Sequence, residues 1–313
     1  MLLVRHLQDL PYASLDRGSV VTIGAYDGLH LGHQALLERV RERARQDDRM
    51  AAVMSFEPMP KEFFAGDKPP ARLMRFREKY DALSDLGLDV FYCPRFSSAM
   101  RSITAVDFVR RILVHGLSVR HVVVGDDFRF ARRREGDLET LKSLGRSLGF
   151  TVEAVASVSV DGLRVSSTAI RDALLLGDCR AATALLGRPY RMSGRIVRGR
   201  RVGRSLGYPT ANVDLRRRLC ALDGIYAVRV RGLGEGPMDG VASVGRRPTF
   251  DLDTPLLEVH LFDFDRDIYG AYIHVDFIER IRGVEKFSSA AELVAQMERD
   301  ADNARSILAR EAA

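Results

Sequence analysis

The chain has 313 residues, 46% of them apolar, with 48 Lys plus Arg against 42 Asp plus Glu, a net charge of +6 and three cysteines. That length and apolar content suffice for two hydrophobic cores, while three widely spaced cysteines fit neither a disulfide framework nor a zinc cluster. No apolar run reaches the length of a membrane span, and Arg5, His6 and Asp9 break the opening run of a signal peptide, so a cytoplasmic protein without a membrane partner is expected.

Only five of the 48 basic residues are Lys, leaving 43 Arg. The guanidinium fork pairs phosphate oxygens bidentately, which suits a nucleotide and equally a nucleic-acid backbone. Charge alone does not separate the two.

In the first half, short apolar runs (VVTIG, MAAVMSF, DVFYC, HVVVG, TVEAVASV) alternate with helical patterns such as HQALLERVRERARQ and TAVDFVRRILVHGL. This rhythm predicts an α/β domain with a mostly parallel sheet covered on both faces, whose ligands bind at the carboxyl ends of strands. The first such end is TIGAYDGLHLGH, residues 22–33. Gly24 and Gly28, flanking Asp27, let the backbone turn sharply and approach a ligand. His30 and His33 then fall in the first helical turn, where free amides and the macrodipole favour an anion. On spacing alone the two imidazoles could equally be ordinary capping residues.

HVVVG is followed by DDFRFARRREGD, residues 126–137, which places Asp127 and Phe128 at a strand's carboxyl end. Further on, VSSTAIRDALLLGD sets Ser166, Ser167 and Thr168 at a helix start and Arg171 in its first turn. Hydroxyls, free amides and a guanidinium converge there, as in a second phosphate site or in a plain N-cap with a solvated Arg.

From about residue 188 the texture changes to short strands broken by Gly, Pro and Asp: YRMSGRIV, YPTANVDL, IYAVRVRG, DGVASVG, LLEVHLFDF and AYIHVDFIERI. They predict an antiparallel β-barrel or sandwich. A closing amphipathic helix over 288–310 follows, with capping-box spacing at Ser289 and Glu292 and a stripe of Leu293, Met297, Ala301, Ala304 and Leu308. In residues 194–215, a strand followed by a basic loop leading to PTAN, amides freed by Gly199 and Gly203 can cradle phosphates. The Thr210 hydroxyl and Asn212 carbonyl are oxygen ligands suited to Mg²⁺. There is no GxxxxGK[ST] loop. Strand alternation turns Glu258 and His260 to one face and Val259 and Leu261 to the other.

GAYDGLHLGH resembles the HxGH signature of nucleotidyltransferases. Taken with VGDDFRFARRREGD and SSTAIRDALLLGD, it resembles the FMN adenylyltransferase module of the bacterial bifunctional riboflavin kinase/FAD synthetase family. GRSLGYPTAN, GIYAVRV, VASVGRRPTF, LLEVHLFDFDRDIYG and the RIRGVEKF ending are similar to its riboflavin kinase module.

The resemblance implies a Rossmann-like nucleotidyltransferase domain over 1–185 and a riboflavin-kinase-type barrel over 186–313. It implies ATP-dependent conversion of riboflavin to FMN and of FMN to FAD, with Mg²⁺. ATP contacts are then expected from Gly24, Asp27, Gly28, His30, His33, Ser167, Thr168, Arg171, Gly199, Gly203, Thr210 and Asn212, the last two also holding the metal. Phe56, Asp127, Phe128, Arg282, Glu285 and Phe287 are expected to contact flavin, and Glu258 to act as general base.

Two positions depart from the pattern. Met59 stands where relatives carry His, which removes a polar role there. Ala131 replaces a usual Gly ahead of the Arg run 132–134. Two other readings fit parts of the chain: an adenylyltransferase for another acceptor with a degenerate second domain, and a regulator gripping nucleic acid through ARRR (131–134) and RGRR (198–201). Intact PTAN and Glu258 weigh against the first, and HxGH, SSTxIR and PTAN occurring together against the second. The expected partners are therefore the small molecules ATP, riboflavin and FMN, without nucleic acid, and the oligomeric state is left open.

Overall fold

A computed structural model describes residues 1–10, 16–199, 207–247 and 254–311. Its contacts divide the chain into two compact units, one of Met1–Pro70 with Met74–Val165, the other of Ala71–Leu73 with Ser166–Ala313.

The first unit is built on six parallel strands: β1 (Leu2–Val4), β2 (Ser19–Ile23), β3 (Met50–Met54), β4 (Val90–Tyr92), β5 (Val119–Gly125) and β6 (Thr151–Val155). Every residue of β2 and β3 is buried, because helices cover both faces and neither side of the strand meets water. Alternation divides the strand residues between two cores. Val21, Ala52, Met54, Val122 and Val124 pack in one, and Val20, Ala51, Val53, Phe91 and Val123 in the other.

The covering helices are α1 (Leu31–Gln46), α2 (Pro60–Ala65), α3 (Phe76–Asp85), α4 (Ser98–Ser102), α5 (Ala105–Asp107, continuing as a π-helix over Phe108–Gly116) and α6 (Leu138–Leu148). α1 buries Leu37, Val40 and Ala44 on the second core, and the α5 extension buries Phe108, Val109, Ile112 and Leu113 on the first. A short hairpin, β7 (Ser159–Val160) with β8 (Leu163–Arg164), completes the unit.

Strand order is β1-β4-β3-β2-β5-β6. The chain steps one way from β2 to β3 and the other way at β5, so the order reverses between β2 and β5. At such a switch point the loops leaving adjacent strands part and open a crevice at the carboxyl ends. The turns at residues 24–30 and 126–130 leave from these two strands.

The second unit starts with α7 (Ser167–Leu176) and α8 (Cys179–Leu186) and continues into β9 (Tyr190–Val197), β10 (Ala211–Asp214), β11 (Gly224–Arg231), β12 (Met238–Arg247), β13 (Thr254–Leu261) and β14 (Tyr272–Arg282). These strands close an antiparallel barrel in the order β10-β13-β12-β11-β14-β9, sealed by the β9–β10 pair. Tyr190, Met192, Tyr226, Val228, Leu257, Val259, Val275 and Phe277 are buried at alternating positions and fill the interior.

The last helix, α9 (Ala290–Arg310), lies on the outside of the barrel. There Ala304, Ile307 and Leu308 pack against Ala227 and Phe262, flanked by Val241 and Ile278. Ile307 joins the expected stripe, whereas Leu293 and Met297 are only partly buried. The six barrel strands coincide with the six expected segments to within a few residues, and closure selects a barrel over a sandwich. The edge strand β1 and the short helices α2 and α4 were not foreseen.

Candidate active sites

The turn after β2 is held in an unusual backbone path. Gly24 N–H donates to the Met54 carbonyl at 3.0 Å, the final rung of the sheet. Tyr26, Gly28 and Leu29 then take positive φ values of 50°, 91° and 45°. Such angles are rare for non-Gly residues and persist only where neighbours hold them. The neighbours are identifiable. Tyr26 is fully buried with its hydroxyl 2.6 Å from Thr22 Oγ1, and burial pushes that phenol above its usual range. Asp27, 1% exposed, accepts the Met74 N–H at 2.9 Å. The Ala25 carbonyl accepts from Lys79 Nζ at 2.5 Å and from Ser55 Oγ at 3.2 Å.

This path delivers His30 to the N-cap of α1, where its Nδ1 accepts the His33 N–H at 3.3 Å. Accepting at Nδ1 assigns the ring proton to Nε2. The His30 and His33 rings stack with centroids 3.6 Å apart and planes 15° from parallel, and Tyr26 backs His33 at 4.9 Å. Burial lowers the His30 pKa to about 4 against the opposing pull of Asp27. His33 is held well below its ordinary value by burial, by His30 and by Lys79. His33 Nδ1 is buried without a hydrogen-bond partner among the described residues. Both imidazoles are therefore neutral at pH 7 and offer hydrogen bonds, not charge; the positive potential at this helix start comes from the amides and the macrodipole.

At the end of β5, Asp126 caps Ser157 through its N–H at 3.1 Å and its hydroxyl at 2.7 Å, which holds the Asp126 carboxyl below its usual range. The expected flavin contact Asp127 is exposed and paired with Arg164 at 2.5 Å. Phe128 stacks on Phe130 with centroids 5.5 Å apart. Ala131 adopts φ 64°, ψ −171°, a region almost restricted to glycine, and Arg133 and Arg134 also have positive φ. The loop thus keeps a glycine path without the glycine.

Phe56, just after β3, meets Phe96 edge-on at 5.4 Å. Phe63 and Phe64 of α2 extend this into a four-ring cluster, with Phe64 61% exposed. Of these rings only Phe56 was singled out in the sequence, although the Phe63–Phe64 pair stands in the same stretch. Met59 is buried and starts α2, with Glu62 reaching back to its N–H at 2.9 Å. The position is apolar core.

In the second unit, Ser166 caps α7 by accepting the Ala169 N–H at 3.1 Å, with Ser167 and Thr168 in the first turn. Arg171 donates to the Ala71 carbonyl at 2.6 Å and the Ser167 carbonyl at 3.0 Å, so its guanidinium holds backbone here. On the barrel, register places Glu258 directly across β10 from Asn212 and across β12 from Ser243. The burial of Leu257 and Val259 turns Glu258 and Asn212 to the outer face together. A side chain at Gly199 would overlap the Asn212 carboxamide, so the β9 end approaches that amide as only glycine can. His260 Nδ1 lies 2.9 Å from the Pro209 carbonyl, next to Thr210. Gly203 lies outside the described residues.

Arg282 binds Asp300 of α9 through contacts of 2.9, 3.1 and 2.7 Å. It also lies 3.9 Å from Glu285 and 5.7 Å from the Phe287 ring centroid. This ties the segment leaving β14 to the closing helix. Asp300 is 3% exposed, and the sequence pattern gave no reason to select it.

A profile described as FAD synthetase matches residues 13–169, and one described as riboflavin kinase matches residues 186–308. The chain is 45% identical over 305 residues to the bifunctional riboflavin kinase/FMN adenylyltransferase of Escherichia coli K12, covering 97% of each. The chain belongs to the bifunctional riboflavin kinase/FMN adenylyltransferase family. The Pseudomonas fluorescens member is 45% identical over 310 residues, covering 99% of this chain and 98% of its own. A solved structure named as a macrolide-efflux protein of Streptococcus pneumoniae superposes with a TM-score of 0.81 at 32% identity, over 96% of each chain. Among the described residues no helix is long and apolar enough to cross a membrane. In this family the chain is an enzyme of two activities, riboflavin kinase and FMN adenylyltransferase.

Proposed function

We propose that residues 1–185 carry adenylyl transfer and residues 186–313 the kinase reaction, with substrates drawn from a cytoplasmic pool. In the N-terminal reaction an FMN phosphate oxygen attacks the α-phosphorus of ATP and pyrophosphate leaves. The nucleophile is already an anion, so no base is needed and the protein's work is alignment and charge stabilisation.

His30 and His33, neutral and stacked at the N-terminus of α1, donate hydrogen bonds to the phosphates, and the Gly24–Gly28 turn with Asp27 lets the nucleotide approach the backbone. Ser167, Thr168 and Arg171 keep the phosphate-donor role that the family resemblance implies. The aromatic cluster around Phe56, with Phe128 and Asp127, offers π-faces and an edge for the isoalloxazine.

In the C-terminal reaction the ribityl 5′-hydroxyl attacks the γ-phosphorus and ADP leaves. That hydroxyl must lose a proton, and Glu258 is the carboxylate we assign to accept it. Thr210 and Asn212 supply neutral oxygens of the type Mg²⁺ accepts alongside substrate phosphates. The close approach of Gly199 to Asn212 supports that fit. When bound with ATP, the metal neutralises phosphate charge. Arg282, Glu285 and Phe287 form the flavin-facing segment ahead of α9.

The observation that supports this reading is that each unit holds a polar set of its own: the His30–His33 stack at a helix start in one, and Asn212 in register with Glu258 in the other. Incubation with riboflavin, ATP and Mg²⁺ tests it. FMN appearing first and FAD second is the expected course; salt-sensitive nucleic-acid binding without either product would favour a regulator built on the same fold.

A further inference from the structure

The N-terminal site contains a buried basic residue that none of its motifs includes. Lys79, on α3, is 2% exposed and is the one buried lysine of the five in the chain. Its amine donates at 2.5 Å to the carbonyl of Ala25, the residue that opens the turn between Gly24 and Gly28. Two residues on, Asp27 accepts the N–H of Met74, in the segment leading into α3. The turn is therefore tied to the α3 region at two points. Burying an ammonium costs several kcal/mol before its hydrogen bonds are counted, and a neutral donor would serve as a mere tether.

We propose that Lys79 is a positioning residue for adenylyl transfer: its ammonium fixes the Gly24–Gly28 turn through Ala25 and sets a positive charge near His33. The inference rests on assigning adenylyl transfer to that stack.

The titratable groups bearing on the pair are Asp27, Tyr26, Lys79 and the two imidazoles themselves. Asp27 favours protonation of His30, whereas Lys79 and the neighbouring ring oppose it at His33. Neutrality matters because His30 Nδ1 needs its lone pair to accept the His33 N–H. A proton there would break the cap and turn the ring. His30 is kept neutral by its own burial, while Lys79 opposes protonation of His33 and holds the turn beneath both rings through Ala25; its charge adds to that of the helix terminus toward charge gathering on the α-phosphate.

The test compares Lys79→Met, Lys79→Gln and Lys79→Arg in the full chain. In the Met and Gln variants kcat for FAD formation from FMN should fall at least about tenfold with KM for FMN little changed, as for loss of a transition-state contribution. His33 should titrate about one pH unit higher, as expected on removing a neighbouring cation. Lys79→Arg, which restores the charge, should recover much of the rate, and FMN formation from riboflavin should be unchanged in all three. A folded Lys79→Gln variant with wild-type kcat and an unshifted His33 titration would overturn the proposal.

If every substitution unfolds the N-terminal unit, reductive methylation of the wild-type chain decides. Lys61, Lys68, Lys142 and Lys286 should react while Lys79 stays protected; modification of Lys79 at the rate of the others would overturn it. A wild-type chain that makes no FAD from FMN would remove the underlying assignment instead, a failure distinct from that of Lys79.

Discussion

Replacing Asp300 by Ala should loosen the closing helix and impair the kinase while sparing FAD formation from supplied FMN. The two charged side chains of the Arg282–Asp300 pair are 15% and 5% exposed. The Asp300 carboxylate also accepts Gln296 Nε2 at 2.8 Å. Removing it leaves a mostly buried guanidinium with only the exposed Glu285 carboxylate at 3.9 Å as counter-charge, a change that costs about 3–5 kcal/mol. For a unit of this size each kcal/mol lowers Tm by about 2–4 °C, so a fall on the order of 10 °C is expected. Because Arg282, Glu285 and Phe287 precede the anchored helix, KM for riboflavin should rise. Calorimetry and initial rates of FMN formation measure the two effects. The double variant Arg282→Met with Asp300→Leu should regain most of the stability, since an apolar pair removes the desolvation cost. A single variant within about 1 kcal/mol of wild type would refute the anchoring role.

Two other perturbations probe the N-terminal unit. Ala131→Gly should stabilise it by about 1 kcal/mol, because relief of a glycine-type backbone is worth about 1–3 kcal/mol and the added freedom of the unfolded chain returns about 0.4–1 kcal/mol; denaturant unfolding that shows destabilisation would contradict the strain. Folding stability should decline as pH falls from about 6.5 to about 4, because His30 is neutral in the folded unit with its pKa lowered to about 4 while the unfolded imidazole takes up a proton near its ordinary value. The loss attributable to His30 is at most about 3 kcal/mol, and His30→Asn should abolish it; an unchanged acid limb in that variant would assign the proton uptake elsewhere.

Much of this architecture is legible in the sequence, for a physical reason. Fully buried parallel strands must be largely apolar, and β3 and β4 are throughout, as are Val20–Val21 of β2 and Val122–Val124 of β5; barrel strands must alternate, and β9 and β11 to β14 do. β1, three residues long, carries too little pattern to distinguish it from an opening loop, though it pairs with β4. The HxGH motif located the first helical turn because capping and strand termination are local. The stacking of the two imidazoles and the Tyr26–Thr22 bond join residues close in sequence but depend on the positive-φ turn between β2 and α1, and Lys79 reaches Ala25 across 54 residues; no simple periodicity encodes either. The same holds for Arg282: its motif position suggested a ligand contact, and only tertiary structure reveals Asp300 as its partner.

Separation of the two reactions is tested most directly by product analysis of Glu258→Gln and His33→Ala, each given riboflavin with ATP and Mg²⁺, and separately FMN with ATP and Mg²⁺. Glu258→Gln should make no FMN yet convert supplied FMN to FAD. His33→Ala should accumulate FMN and make FAD at least about a hundredfold more slowly, the usual loss for one transition-state donor. Loss of both products in either folded variant, or normal FAD synthesis by His33→Ala, would contradict the assignment of one reaction to each unit.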